Sequence, residues 1–343
     1  MKFGLFGGAN SKRGGANADT TDYRRVIDMI READELGYHS IFMVEHHFTG
    51  IGQVSATLSM LAYLAGQTKR IRLGTGVTVL PWHNPVLVAE QAATVDLLSG
   101  GRLDFGVGRG YRDLEFHGFA MDKSEAEGRY RESLDVIMRA FTSDERFSHD
   151  GKYWKFDDII VEPPTIQKPH PPIWTAAGSD ESIRRVARDG WNVMFDQFAN
   201  IARTQERFAI WRDECAKIGR ALDPMQVSVA RGLTIVRTDE EYETALAARR
   251  LRTANFIKEF GNLPGQTGAG GVQLQPQSYS DRLFEDETGA LIGKPDQVAR
   301  QIEVLRDMGF EYILLLMPND PEILRIFARE VMPHFQDVKA AAE

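Results

Sequence analysis

The chain has 343 residues and a formal net charge of -8. That length is long for one ordinary domain but suits an α/β barrel, which takes roughly 250 residues, or more with insertions. The acidic balance argues against a nucleic-acid binder, whose domain is normally basic, and no apolar stretch is long enough to span a membrane. The opening MKFGLFGGAN has too short an apolar run for a signal peptide. Cytoplasmic residence is therefore the expectation. The single cysteine, Cys215, can form no internal disulfide and sits among charged residues in a helical pattern. It reads as an inert thiol.

Strand-like and helix-like segments alternate along the chain, which predicts βα units and a parallel sheet. KFGLF (2–6) is the first strand, and a helix from about Thr21 carries Val26, Ile27, Ile30, Ala33 and Leu36 on one face until Gly37. SIFMV (40–44) is the second strand, a helix follows near 54–66, and IRLGTGVTVL (71–80) is the third strand with its extension. Asn84-Pro85 opens the next helix as N-cap and first position, and Gly100-Gly101 stops it. RLDFGVG (102–108) is the fourth strand. The stretch 108–130 reads as polar loop, a helix runs to about 142, and 147–163 reads as an antiparallel hairpin turning at Asp150-Gly151.

The barrel rhythm resumes with PPIWTAAG (171–178), a helix from about Ser179 to Asp189, and WNVMF (191–195). A helix over about 200–219 leads to MQVSVARGLTIV (225–236), the seventh strand and a further extended piece. Helices over about 239–258 and 295–308, strand YILLLM (312–317) and a helix at 320–333 complete the pattern. Eight strands make a (β/α)₈ TIM barrel with insertions the predicted fold, as a single domain over 1–343. Between them, 261–289 lacks apolar periodicity and is rich in Gly, Gln and Pro, which suits a lid, a binding loop or a disordered insertion without function.

Chemistry concentrates where predicted strands end. IFMVEHHF (41–48) is a buried-strand pattern that finishes in an acid and two histidines. Neighbouring strand side chains point to opposite faces, so His46 and His47 should not chelate together. One reading is a hydrogen-bonded core histidine; the other is an imidazole moving protons near the reacting atom. In FGVGRGY (105–111) glycines flank Arg109, whose guanidinium suits a phosphate; an ordinary glycine-rich turn has the same pattern. In TAAGSDES (175–182) a helix start offers Gly178, Ser179 and Ser182 to an anion, and a plain serine N-cap looks alike. In GTGVTVLPWHNP (74–85) glycines around Thr75 suggest close approach of a flat ligand; His83 is a second histidine candidate, with a loop histidine bonded to backbone the first expectation. No motif implies a dedicated metal, and no Rossmann fingerprint opens a helix.

Taken together and in order, EHHFTG (45–50), GTGVTVLP (74–81), the run from Asn84 to Tyr111, GKPDQVARQIEVLRDMGFEYILL (293–315) and VMPHF (331–335) resemble the bacterial luciferase-like flavin monooxygenase family. The resemblance covers nearly the whole chain and is close to the luciferase alpha subunit in length and motif order. It implies reduced FMN at the C-terminal strand ends, and O₂ adding to the flavin as a C4a-(hydro)peroxide that oxygenates a small organic substrate. It implies that His46 is the active-site histidine and that Arg109, Ser179 and Ser182 are phosphate ligands. Gly178 stands where luciferase has a glutamate, so it offers backbone only. Gly76-Val77 matches a non-proline cis peptide beside the flavin ring, and 261–289 matches the lid. A separate flavin reductase and a homodimer are implied as well. The pattern departs at Gly108, where luciferase has a reactive cysteine, and at Arg112, where it has a tyrosine. Trp82, Met194 and Phe195 are pocket candidates without a mapped substrate. Two alternatives share the fold: an F420-dependent hydride-transfer enzyme and a non-catalytic partner subunit.

Overall fold

A computed structural model of the chain describes residues 1–10, 21–48, 54–260, 289–316, 318 and 320–336. The expected lid at 261–289 lies outside these residues apart from Gly289.

The elements run in the expected alternation. Strand β1 (Lys2–Gly7), helix α1 (Thr21–Leu36), β2 (Ser40–Met43), α2 (Thr57–Ala65), β3 (Arg72–Thr75), β4 (Thr78–Val79), α3 (Pro85–Ser99) and β5 (Leu103–Gly108) come first. Next are α4 (Asp113–Gly118), α5 (Ala126–Thr142), the hairpin β6 (Phe147–Asp150) and β7 (Lys155–Ile159), then β8 (Ile173–Ala176) and α6 (Asp180–Asp189). The rest are β9 (Asn192–Phe195), α7 (Ile201–Lys217), β10 (Val227–Arg231), β11 (Leu233–Ile235), α8 (Asp239–Phe260), β12 (Leu291–Gly293), α9 (Pro295–Asp307), β13 (Tyr312–Leu316) and α10 (Pro321–Ile326).

The described chain forms two compact units: residues 1–6, 36–38 and 176–343, and residues 7–35 and 39–175. Within the first, β1 pairs parallel with β13, β13 with β10, and β10 with β9. Within the second, β2 pairs with β3, and β5 with β3, β4 and β8, all parallel. The strand order is β3-β2-β1-β13-β10-β9-β8-β5-β4, with β3 also paired to β5. That is the order of a (β/α)₈ barrel, with β3 and β4 as one strand interrupted at residues 76–77. The strands read as continuous apolar runs because both faces are covered: all four residues of β2 and the first four of β13 are buried.

Helix boundaries follow local chemistry. The Asn84 side chain accepts the Val86 N–H at 3.0 Å, and Gly100, left-handed at φ 66°, ends α3. Four local expectations need correction. The 108–130 stretch is not all loop, since α4 forms inside it. The hairpin connection is 151–154 rather than Asp150-Gly151, because Asp150 pairs with Lys155 in the ladder. Glu132 on α5 holds that connection by accepting the N–H groups of Lys152, Tyr153 and Trp154. Strand β12 was not anticipated; it pairs parallel with β11, and Leu291 N–H donates to the Gly232 carbonyl at 2.8 Å. The final helix is also broken: α10 gives way to a π-helical turn (Phe327–Val331) and a 3₁₀ turn (Met332–Phe335).

Candidate active site

The EHHF segment lies just beyond β2, within the unit of residues 39–175. Glu45 is only 3% exposed. Its Oε1 accepts the Trp82 indole N–H at 3.0 Å and faces Nε2 of His47 at 3.0 Å and of His83 at 2.7 Å; Oε2 accepts the Val79 N–H at 3.2 Å. An indole N–H only donates, so Oε1 is an acceptor and both imidazoles bring an Nε2–H to it. Burial opposes the charge on Glu45. Hydrogen bonds from His47, His83 and Trp82, with the attraction of His83, outweigh it and hold the carboxyl down to about 2.

Strand-like alternation persists past the last residue of β2. Glu45 and His47 meet each other, while His46 turns to Glu115. His46 Nδ1 lies 3.1 Å from Glu115 Oε1, and the same oxygen accepts the His47 backbone N–H at 2.9 Å. Glu115 is 1% exposed, on the short helix α4. Aromatic rings pack around these groups: Trp82 stacks on Phe119 with centroids 5.2 Å apart and meets Phe116 edge-on at 5.1 Å.

The third-strand interruption is the cis peptide Gly76-Val77, at the position the resemblance implied. Beside it, the Thr75 hydroxyl donates to the Gly106 carbonyl at 2.6 Å. Val77 also explains Gly108. A Cβ at Gly108 would stand 2.4 Å from Val77 Cγ2, so the cysteine of luciferase has no room here. Gly110 is left-handed at φ 76°, and a Cβ there would stand 2.7 Å from Val79. Arg109 thus projects from a segment whose two flanking glycines are sterically required. Its guanidinium is 41% exposed and makes a long 3.4 Å ion pair with Glu127.

The other unit holds the remaining candidates. Ser179 caps α6, and Ser182 completes a capping box with it: each side chain accepts the other's backbone N–H, at 3.3 and 3.1 Å. The first-turn amides of a ten-residue helix have no intrahelical partner; that of Ser182 is taken by the cap, which leaves those of Asp180 and Glu181 for an anion. Gly178, immediately before the cap, is half-buried. Met194 and Phe195 are buried core residues of β9, and Phe195 packs edge-on against Phe310. Cys215 is buried, and that burial pushes its thiol up, away from a reactive thiolate.

Residues 1–312 match the family described as luciferase-like monooxygenase. The chain belongs to that family. A flavin-dependent trigonelline monooxygenase, oxygenase component, from Acinetobacter baylyi is 35% identical over 339 residues, 92% of this chain and 91% of that one. A 4-hydroxyprotoasukamycin monooxygenase of Streptomyces nodosus is 38% identical over 330 residues, 91% of this chain and 86% of that one. An uncharacterized protein of Sinorhizobium fredii is 34% identical over 183 residues, and the match spans about half of each chain, 53% and 52%. Among solved structures, the monooxygenase RslO1 from Streptomyces bottropensis superposes with a TM-score of 0.82 at 26% identity, covering 98% of this chain and all of that one. Membership makes this luciferase-like chain an oxidoreductase.

Two features of this family member escaped sequence reasoning. Glu115 lay in a segment read as loop, and nothing in GYRDLEF separates it from Asp113. His83 bonds the Glu45 carboxylate rather than backbone. Glu45, His47 and His83 therefore bring ligand-type atoms within 4.8 Å of one another, a cluster the spacing concealed. Hydrogen bonding accounts for the convergence: Oε1 accepts the Trp82 N–H and faces Nε2 of both imidazoles.

Proposed function

We propose that the chain is the oxygenase component of a two-component monooxygenase. It takes reduced FMN from a separate flavin reductase and uses O₂ to oxygenate a small organic substrate. A single barrel domain over 1–343, with 261–289 as its lid, is part of this reading. The observation that carries it is His46: half-buried, held at Nδ1, with no hydrogen-bond partner at Nε2 among the described residues. Bound reduced flavin supplies the electrons with which O₂ is activated. His46 holds or moves a proton at the reacting centre. Glu45 ties the loop after β2 to the 79–83 turn, so that His46 is carried on a fixed segment. The donor types fit a flavin phosphate: the guanidinium of Arg109, and separately the hydroxyls of Ser179 and Ser182, the first-turn amides of Asp180 and Glu181 between them and the Gly178 backbone. Gly76 and Val77 are assigned to the ring. The relative named as an oxygenase component supports the division of labour with a reductase.

Anaerobic titration with reduced FMN and with reduced F420, followed by turnover with FMN, a flavin reductase and ¹⁸O₂, tests the reading. Tight reduced FMN and ¹⁸O in the product are expected. Preference for F420 without O₂ dependence replaces it with hydride transfer, and millimolar binding of both makes the chain a non-catalytic subunit.

Arg109→Ala is expected to weaken FMN by about 1.5–3 kcal/mol, the range for a charge-assisted hydrogen bond, and to leave riboflavin unaffected. Isothermal titration with both flavins checks this, and equal losses remove Arg109 from phosphate recognition.

A homodimer belongs to the same reading. Leu87 and Leu98 on α3 are 55% and 56% exposed, and eleven residues make three helical turns, so they share one face. Tyr63 on α2, which packs on α3, is exposed too. Leu98→Glu is expected to convert a dimer to monomer in light-scattering-coupled size exclusion. An unchanged mass places the interface elsewhere.

A further inference from the structure

We infer that Glu115 is a positioning residue for His46, fixing the ring with Nδ1 protonated and Nε2 bare so that protons are exchanged only at Nε2. The inference rests on the proposed role of His46.

The argument starts from one oxygen. Glu115 Oε1 lies 2.9 Å from the His47 backbone nitrogen and 3.1 Å from His46 Nδ1. A backbone N–H only donates and an ionised carboxylate only accepts, so the second group facing this oxygen donates as well. The Nδ1 proton is then in the bond. A neutral imidazole carries one N–H, which leaves the Nε2 lone pair available. Nothing among the described residues bonds Nε2. Glu115 is almost wholly buried, and a buried carboxylate is tolerated where its oxygens are satisfied. Its helix is anchored by the next residue, Phe116, buried against Trp82. A carboxylate that only tethered the EHHF backbone needs the amide of His47 and nothing more. Engagement of the neighbouring ring by the same atom is what assigns orientation.

The deciding measurement does not require turnover. Long-range ¹H–¹⁵N spectra of ¹⁵N-histidine-labelled protein, with His46 assigned by its loss in His46→Ala, report which nitrogen is protonated. The Nδ1–H form is expected in the unaltered chain and in Glu115→Gln, whose amide oxygen still accepts both bonds. Glu115→Ala is expected to release the ring to a mixture or to the Nε2–H form. It should lower kcat by about 10–100-fold, by analogy with the cost of removing a partner that orients a metal-bound imidazole, with KM and flavin affinity nearly constant. In a His46→Ala background the same change should cost nothing further. An Nε2–H His46 in the unaltered chain, or losses from Glu115→Ala and His46→Ala that multiply, overturns the inference, and the first of these needs no variant beyond the assignment. Unchanged turnover in His46→Ala instead overturns the proposed role of His46, while the tautomer still decides whether Glu115 holds the ring.

Discussion

His46→Ala is expected to leave reduced-FMN binding nearly intact and to cut product formation by about 10²–10⁴-fold, the span of a lost general acid or base. The expectation follows from where the ring is fastened. Among the described residues, His46 bonds through Nδ1 to Glu115 and, through its carbonyl, to the Ser55 hydroxyl. Removing the ring therefore strips no support from Arg109 or from Glu45, whose bonds to Val79, Trp82, His83 and His47 do not pass through it. Glu115 keeps the His47 amide as a partner. Oxygen consumption should continue while hydrogen peroxide replaces oxygenated product, because electrons still reach O₂ without the proton delivered in place. Product and peroxide, measured together under reductase-driven turnover, separate this from loss of flavin. A product yield equal to that of the unaltered chain removes His46 from the chemistry.

The parts that were readable in the sequence are those with local causes. SIFM, IWTA and YILLL announced parallel strands because such strands are covered on both faces. Asn84-Pro85 and Ser179 announced helix starts because a cap acts over three residues. The divergence of His46 from His47 was readable too, since alternation is a local property of extended backbone. What was not readable depends on contacts between distant segments. Glu115 becomes significant only when α4 lays its carboxylate on the EHHF backbone. The His83 ring faces Glu45, a residue that follows the end of another strand. The necessity of Gly108 lies in the Val77 side chain opposite, and a pattern of glycines around an arginine shows only that glycine is tolerated. Strand β12 is three residues long and borders a stretch without periodicity, so its pairing with β11 had no signature of its own.

Glu45→Ala is expected to cost about 3–5 kcal/mol of stability, the penalty for removing one partner from a buried ionic group. The damage exceeds the loss of a single contact because four N–H donors converge on this carboxylate. Without it the Val79 amide, the Trp82 indole and two imidazoles lose their acceptor inside a largely buried cluster. Glu45→Gln keeps the volume but turns one of the two accepting atoms into a donor, so an intermediate loss is expected. The unaltered chain makes a pH prediction from the same group. The carboxyl is held down from its ordinary 4.5 to about 2. A depressed carboxylate stabilises the fold above its unfolded pKa, and that contribution disappears as pH falls toward the folded one. The shift is worth about 3 kcal/mol by linkage, at about 1.4 kcal/mol per pH unit, and is lost between roughly pH 4.5 and 2. Urea unfolding across that interval should show the decline, and Glu45→Gln should flatten it, since an amide has no proton to take up. A variant with the same acid dependence as the unaltered chain, or an alanine variant destabilised by less than about 1 kcal/mol, places the acid sensitivity in other carboxylates. The same bonds join the EHHF segment to the 79–83 turn. A measured collapse of stability in Glu45→Ala therefore also measures how firmly the segment carrying His46 is held.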